Sequence, residues 1–175
     1  MNQSTNIHFR KYKKLVEEIE KETGLLEKFH LKHMHCKKGC DLCCIDFSIF
    51  PIEFHYILHN IRGKNIDLEV HTDENICKFL NYHSCTIYSY RPVMCRTHGF
   101  PLIYTSEEGE PELSVCHLNF TDFDFADFTF ENTIPQDKFN SKLFLLNKEF
   151  IKEFKEKKYG EFDLIPLKEI TNYLQ

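Results

Sequence analysis

The chain has 175 residues, a net charge of −5 and a pI near 6.1, with 42% hydrophobic residues, 17 Phe and no Trp. That is enough apolar material to close a core without a metal, and the acidic balance offers no attraction to phosphate backbones, which excludes nucleic acid as the main partner. The first fourteen residues hold no apolar h-region and no apolar run approaches a membrane span, so the expectation is a cytoplasmic protein with no membrane partner.

From Asn6, the residues Tyr12, Leu15, Val16, Ile19, Leu26 and Phe29 recur at helical spacing, and Glu17 stands four before Lys21, predicting a helix to about His33. Gly24 marks a kink or break within it. The basic stretch Arg10 to Lys14 reads as a solvated helix face. Four thiols then fall within nine residues, Cys36, Cys40, Cys43 and Cys44. A two-residue gap between Cys40 and Cys43 is the spacing at which a turn aims two sulfurs at one ion, Gly39 suits the positive φ of such a turn, and Cys36 adds a third ligand. Neighbouring side chains diverge, so Cys44 is assigned to a second metal or a cluster. His30, His33 and His35 read as helix-end histidines, since the thiols already fill a shell. Pro51 opens a second helix with Phe54, Ile57, Leu58 and Ile61 inward, ended by Gly63. His55 and His59 lie one turn apart on it, but Tyr56, Ile57 and Leu58 between them lack the glutamate of a metalloprotease motif, and the pair is read as flanking the buried stripe.

Cys77 to Leu80 and Cys85 to Tyr88 form a hairpin pattern across Asn81 to Ser84. Arg91-Pro92 then starts a short helix that delivers Cys95 and Arg96; Arg96 either favours the neighbouring thiolate or is a surface arginine. A second hairpin, Phe100 to Tyr104 and Leu113 to Cys116, brings Cys116 toward Cys95 and His98. His98 is a candidate ligand or proton donor, with a structural bond to backbone preferred. In the run from Asn119, the rings of Phe120, Phe123, Phe125, Phe128 and Phe130 are expected inside and Asp122, Asp124 and Asp127 in water, in preference to a docking surface for a protein partner. Thr133 and Pro135 start a third long helix that carries Phe139, Leu143, Leu146, Phe150 and Phe154, with Lys152, Lys155, Lys157 and Lys158 at its end, before Gly160. Leu167, Ile170 and Leu174 belong to a last short helix. The expected fold is one α+β domain over residues 1–175, predominantly helical, with small β-hairpins carrying a cysteine-rich metal site whose motif core is 36–116. Eight cysteines in such a chain read as metal ligands before disulfides.

The order Cys36, Cys40, Cys43-Cys44, then Cys77 with Phe79-Leu80, then Cys85-Thr86-Ile87-Tyr88 with Arg91-Pro92 and Cys95-Arg96, then Cys116, resembles the bacterial YkgJ-type cysteine-cluster family. Its members are described as zinc- or iron-chelating domains, and the same cluster occurs in flagellin lysine N-methylases. The resemblance spans less than half the chain. It implies metal binding at Cys36, Cys40, Cys43, Cys44, Cys77, Cys85, Cys95 and Cys116 and carries over no catalytic residue. Thr97-His98-Gly99 stand here where many relatives follow Cys-Arg with an aromatic residue and proline. The expected function is chelation of zinc, as two ions, or of iron or an iron-sulfur cluster, the metal being structural or cargo. Cys36-x3-Cys40-x2-Cys43 is also the spacing of radical S-adenosylmethionine enzymes, yet the residues after Cys43 do not alternate strands and helices as the barrel of those enzymes does. An iron-sulfur enzyme or enzyme accessory related to flagellin lysine N-methylase is the alternative, so enzymatic activity stays open. Against it, the 6 glycines form no cofactor loop.

Overall fold

A computed structural model describes residues 3–36 and 39–174. In chain order the elements are α1 (Gln3–Phe29), β1 (Ser48–Ile49), α2 (Pro51–Ile61), β2 (Leu80–Asn81), β3 (Ser84–Cys85), a 3-10 helix (Tyr88–Tyr90), α3 (Val93–Thr97), β4 (Leu102–Thr105), β5 (Pro111–Ser114), a 3-10 turn (Phe125–Asp127), β6 (Ile134–Pro135), α4 (Gln136–Glu153), β7 (Ile165–Pro166) and a closing 3-10 helix (Leu167–Tyr173). Helix therefore predominates in a mixed helix and strand chain, with strands of only two to four residues. The described residues form two compact units: 3–12, 39–92 and 144–174 make the first, and 13–36 and 93–143 the second.

In the first unit, the apolar stripe of α2 builds the core. Ile57 and Ile61 are fully buried with Phe79 and Ile170, and Ile49, Phe54, Ile87, Leu167 and the thiol of Cys77 belong to the same cluster. Phe9 and Tyr12 bury the start of α1, their rings 5.5 and 4.8 Å from Tyr56. The Tyr12 hydroxyl donates to the buried Glu53 carboxylate at 3.0 Å. Pro51 suits the first turn of α2, but its N-cap, Phe50, has no side chain able to accept a bond. Asn147 of α4 supplies the acceptor instead, its Oδ1 taking the Ile52 N–H at 3.2 Å. β1 pairs antiparallel with β7, Ile49 opposite Ile165, which carries Leu167 and Ile170 into the core. β2 and β3 form a hairpin whose two turn residues, Tyr82 and His83, both take positive φ (44° and 60°) without glycine.

In the second unit, Leu15, Val16, Ile19 and Leu26 bury one face of α1. Its charged face is tied to α4, where Lys142 reaches Glu18 at 2.6 Å and Lys138 reaches Glu22 at 2.9 Å. A three-stranded sheet runs in the order β5-β4-β6, antiparallel between β4 and β5 and parallel between β4 and β6. Phe139 and Ile134 are fully buried. His30 is buried too, its Nε2 2.7 Å from the Asn132 carbonyl and its ring edge-on to Phe120 at 5.0 Å.

Several boundaries differ from the sequence expectation. Helix α1 runs unbroken through Gly24, because the buried residues on both sides outweigh a glycine penalty of about 1 kcal/mol. It ends at Phe29, and His30 to His33 form a turn. Helix α4 stops at Glu153, so Lys155, Lys157 and Lys158 lie beyond it; with Glu156 they form a run that has nothing apolar to bury. The hairpin after Cys77 is shorter than expected, and Tyr88 belongs to a 3-10 helix. Among the described residues no helix is long and apolar enough to cross a membrane.

Because Asn147 provides the acceptor that the α2 terminus lacks, Asn147→Ala is expected to lower the unfolding free energy by about 1 kcal/mol in urea melts followed by circular dichroism.

Candidate metal centre

The thiols of the first unit are assembled by backbone pairing. The Cys44 N–H closes a turn on the Asp41 carbonyl at 2.8 Å, and the Cys44 carbonyl accepts the Cys77 N–H at 3.0 Å beside an antiparallel bridge between Ile45 and Ile76. The Cys77 carbonyl then accepts the Leu80 N–H at 3.0 Å, and Leu80 stands opposite Cys85 in the hairpin. Residues far apart in sequence are thereby drawn into one neighbourhood. Cys77 is buried, Cys40, Cys44 and Cys85 are half-buried and Cys43 is exposed.

Electrostatics record that proximity. The Cys44 thiol is pushed far above the ordinary thiol range, first by its hydrogen bond with Cys43, then by burial, and further by the charges that Cys43, Cys77 and Cys85 would carry. Burial pushes Cys77 up to about 11, with Cys85 and Asp46 adding to it, while the backbone N–H groups of Phe79 and Leu80 pull the other way. Cys85 is raised by burial and opposed by the Ile87 N–H and by Arg91. Three backbone donors thus act on two sulfurs in an apolar setting. Such donors support a thiolate once a cation offsets the burial cost. The expected divergence of Cys43 and Cys44 is not observed: the turn closed on Asp41 brings the two side chains into a mutual hydrogen bond. Beside this group, His83 Nδ1 lies 2.7 Å from Asp41 Oδ2, joining the hairpin turn to the cysteine loop.

Cys36, Cys95 and Cys116 lie in the second unit and are half-buried. Cys36 Sγ accepts from Asn119 Nδ2 at 3.4 Å, and the Cys116 carbonyl accepts the Asn119 N–H at 2.9 Å. Cys95 sits on α3. Arg96, one residue on, is not a surface arginine: it is buried and its guanidinium pairs with Glu20 of α1. His98 is exposed, and its backbone N–H donates to the Met94 carbonyl at 3.1 Å.

The other histidines have partners of their own. His33 Nδ1 is 3.0 Å from Asp122 Oδ1, and the His35 N–H donates to Asn119 Oδ1. His55 Nε2 is 2.9 Å from the Tyr159 hydroxyl with its ring 4.3 Å from Phe154, and burial, then Lys157, lowers it to about 4. His59 packs on Phe9 at 5.5 Å. The phenylalanine run divides: Phe120 is fully buried and Phe123 and Phe128 pack on it, whereas Phe125 and Phe130 are exposed. Only part of the expectation of five inward rings is met, because Phe125 belongs to a one-turn 3-10 segment capped by Asp124 that faces water.

Among the described residues, no three His, Cys, Asp or Glu side chains surround one point closely enough to hold an ion. The expected cysteine-rich metal site is therefore not shown; the described residues show several thiols of the first unit in one neighbourhood and no coordination shell. The donor set nevertheless suits a thiophilic ion: several thiols in one neighbourhood, apolar walls and backbone N–H groups acting on sulfur.

These features define a class, a mixed helix and strand protein built around a cysteine cluster. Residues 35–117 match the CxxCxxCC family, described as "Putative zinc- or iron-chelating domain", and over that stretch the chain is similar to this cysteine-cluster family. No curated protein and no solved structure matches the chain.

Sequence reasoning passed over the backbone donors at Phe79, Leu80 and Ile87, the Asp41–His83 contact and Asn119. The first group has a sequence signal, since a cysteine entering a tight turn exposes the next two or three N–H groups to its sulfur. Asn119 has none.

In metal-free protein, the folded state holds the Cys77 proton to about pH 11 while the unfolded chain releases it near 9.0. Cys77 therefore stabilises the fold below pH 9, and that contribution, about 2–3 kcal/mol, is lost as pH rises from 9 to 11. Denaturant midpoints of the metal-free chain are expected to fall across this window, and Cys77→Ala to flatten the fall.

Proposed function

We propose that this protein chelates zinc or iron through its cysteine thiolates, the metal being structural or cargo. In the first unit Cys44, Cys77 and Cys85 form the centre of the ligand set, with Cys43 and Cys40 on the same loop; Cys36, Cys95 and Cys116 supply the thiolates of the second unit. The observation that carries this reading is the gathering of Cys43, Cys44, Cys77 and Cys85 beside backbone donors at Phe79, Leu80 and Ile87. A protein that only packed its cysteines as small hydrophobes would have no use for N–H groups turned toward sulfur. Thiolate is the ligand that zinc and iron-sulfur centres share, so the chemistry supports both metals named in the family description. A fully thiolate-ligated zinc has no open position and performs no hydrolysis, which favours chelation over catalysis.

Elemental analysis of protein purified without oxygen, read with its absorption spectrum, tests the proposal: a colourless chain with bound zinc or a brown one with iron supports it. A chain free of metal that stays free when offered zinc(II) or iron(II) overturns it. Where metal is bound, Cys44→Ser is expected to lose at least one equivalent. A structural zinc contributes on the order of 10 kcal/mol at pH 7, so chelation should lower the melting temperature sharply. An unchanged melting curve after proven metal removal assigns the metal as cargo. Affinity is expected to fall in acid, because each ligand must release a proton to bind.

A further inference from the structure

Asn119 is 2% exposed, and its carboxamide is saturated. Oδ1 accepts two backbone N–H groups, those of His35 at 2.7 Å and Cys36 at 3.0 Å. Backbone N–H groups only donate, so the oxygen must face them and the NH2 group must face the other way. There Nδ2 has two acceptors, the Gly99 carbonyl at 2.7 Å and Cys36 Sγ at 3.4 Å. Both lone-pair positions and both protons are used, and three of the four bonds go to Cys36 or the residue on its N-terminal side. Gly99 forms another wall against the same sulfur: at its φ of +93° a Cβ would stand 3.3 Å from Cys36 Sγ.

A second, independent observation marks the same place. Phe120 is fully buried yet holds φ at +61°, a conformation unfavourable for a bulky side chain. In that conformation its N–H donates to the His33 carbonyl at 2.7 Å, so Asn119 and Phe120 grip consecutive parts of the segment that leads into Cys36. Backbone strain maintained beside a saturated buried amide indicates that the position of Cys36 is held against alternatives.

We infer that Asn119 is a positioning residue for Cys36, fixing its backbone through Oδ1 and donating an N–H···S hydrogen bond that orients the sulfur toward a metal. The inference rests on the metal-chelating reading above. The N–H donor stands 3.4 Å from the sulfur, and a sulfur bound to one ion keeps lone pairs with which to accept it. Asn119 would thus act through Cys36 without touching the metal.

The test uses the full chain loaded with cobalt(II), whose sulfur-to-metal charge-transfer band reports the thiolates directly. Asn119→Asp keeps the size and the Oδ1 acceptor but replaces the N–H donor facing Cys36 and Gly99 with oxygen. It is expected to move the band to longer wavelength and to speed cobalt loss to a chelator by about 10–100-fold. A residue with a purely structural role would leave the wavelength unchanged. Asn119→Gln, which carries the same amide one methylene further out, replaces Asn119→Asp if that variant fails to fold, and the same two changes are expected of it. An unshifted band with unchanged release overturns the role of Asn119 while leaving chelation standing. A wild-type chain that takes up no cobalt overturns this inference, and one that also stays free of zinc and iron overturns chelation.

Discussion

The first unit depends on keeping sulfur in an apolar interior. Cys77 shares a buried cluster with Ile57, Phe79, Ile87, Leu167 and Ile170, and Cys44 and Cys85 pack against that cluster from its edge. As thiols, these groups behave as small hydrophobes and let the core close. As thiolates they would bring negative charge into a setting with little to solvate it, which is why burial raises Cys77 and Cys85 and, after the bond to Cys43, Cys44. The interior thus admits two chemical conditions, protonated and neutral or ionised and matched by a cation, and excludes the one in between.

Protein cations do little to resolve this. In the first unit Arg91 acts on Cys85 alone among the thiols whose shifts are resolved. The stabilisation available to ionised sulfur comes from peptide dipoles at Phe79, Leu80 and Ile87, which orient without adding net charge. Dipoles of this kind tune a metal-thiolate bond but do not neutralise several sulfurs at once. Ionised together, these sulfurs would need positive charge from outside the chain, whereas as neutral thiols they need none.

Much of the fold was legible because its signals are local. The apolar stripes of α1, α2 and α4 appear at helical spacing, Pro51 marks a helix start, and the ordered cysteines with their Ile-Tyr and Arg-Pro companions point to the family that residues 35–117 match. The features that stayed hidden depend on long-range pairing. The β1–β7 ribbon joins two-residue strands more than a hundred residues apart, and a two-residue strand has no readable periodicity. Tyr82 and His83 fill turn positions that glycine or asparagine would normally announce. Arg96 looked like a neighbour of the thiols because sequence shows adjacency, whereas α3 directs its side chain to Glu20. Asn119 illustrates the same limit, since nothing about one asparagine three residues after Cys116 shows that its amide is saturated by His35, Cys36 and Gly99.

The β1–β7 pairing also has a temporal side. Leu167 and Ile170, which complete the cluster around Cys77, are synthesised some eighty residues after Cys85. At about 5–20 residues per second, the thiols of the first unit wait several seconds for the side chains that shield them. During that interval they are open to solvent, to oxidants and to ions, and the apolar wall is added last. In the finished fold Cys43 stays exposed and Cys40, Cys44 and Cys85 half-buried, so the late wall shuts away Cys77 and leaves its neighbours within reach of solvent.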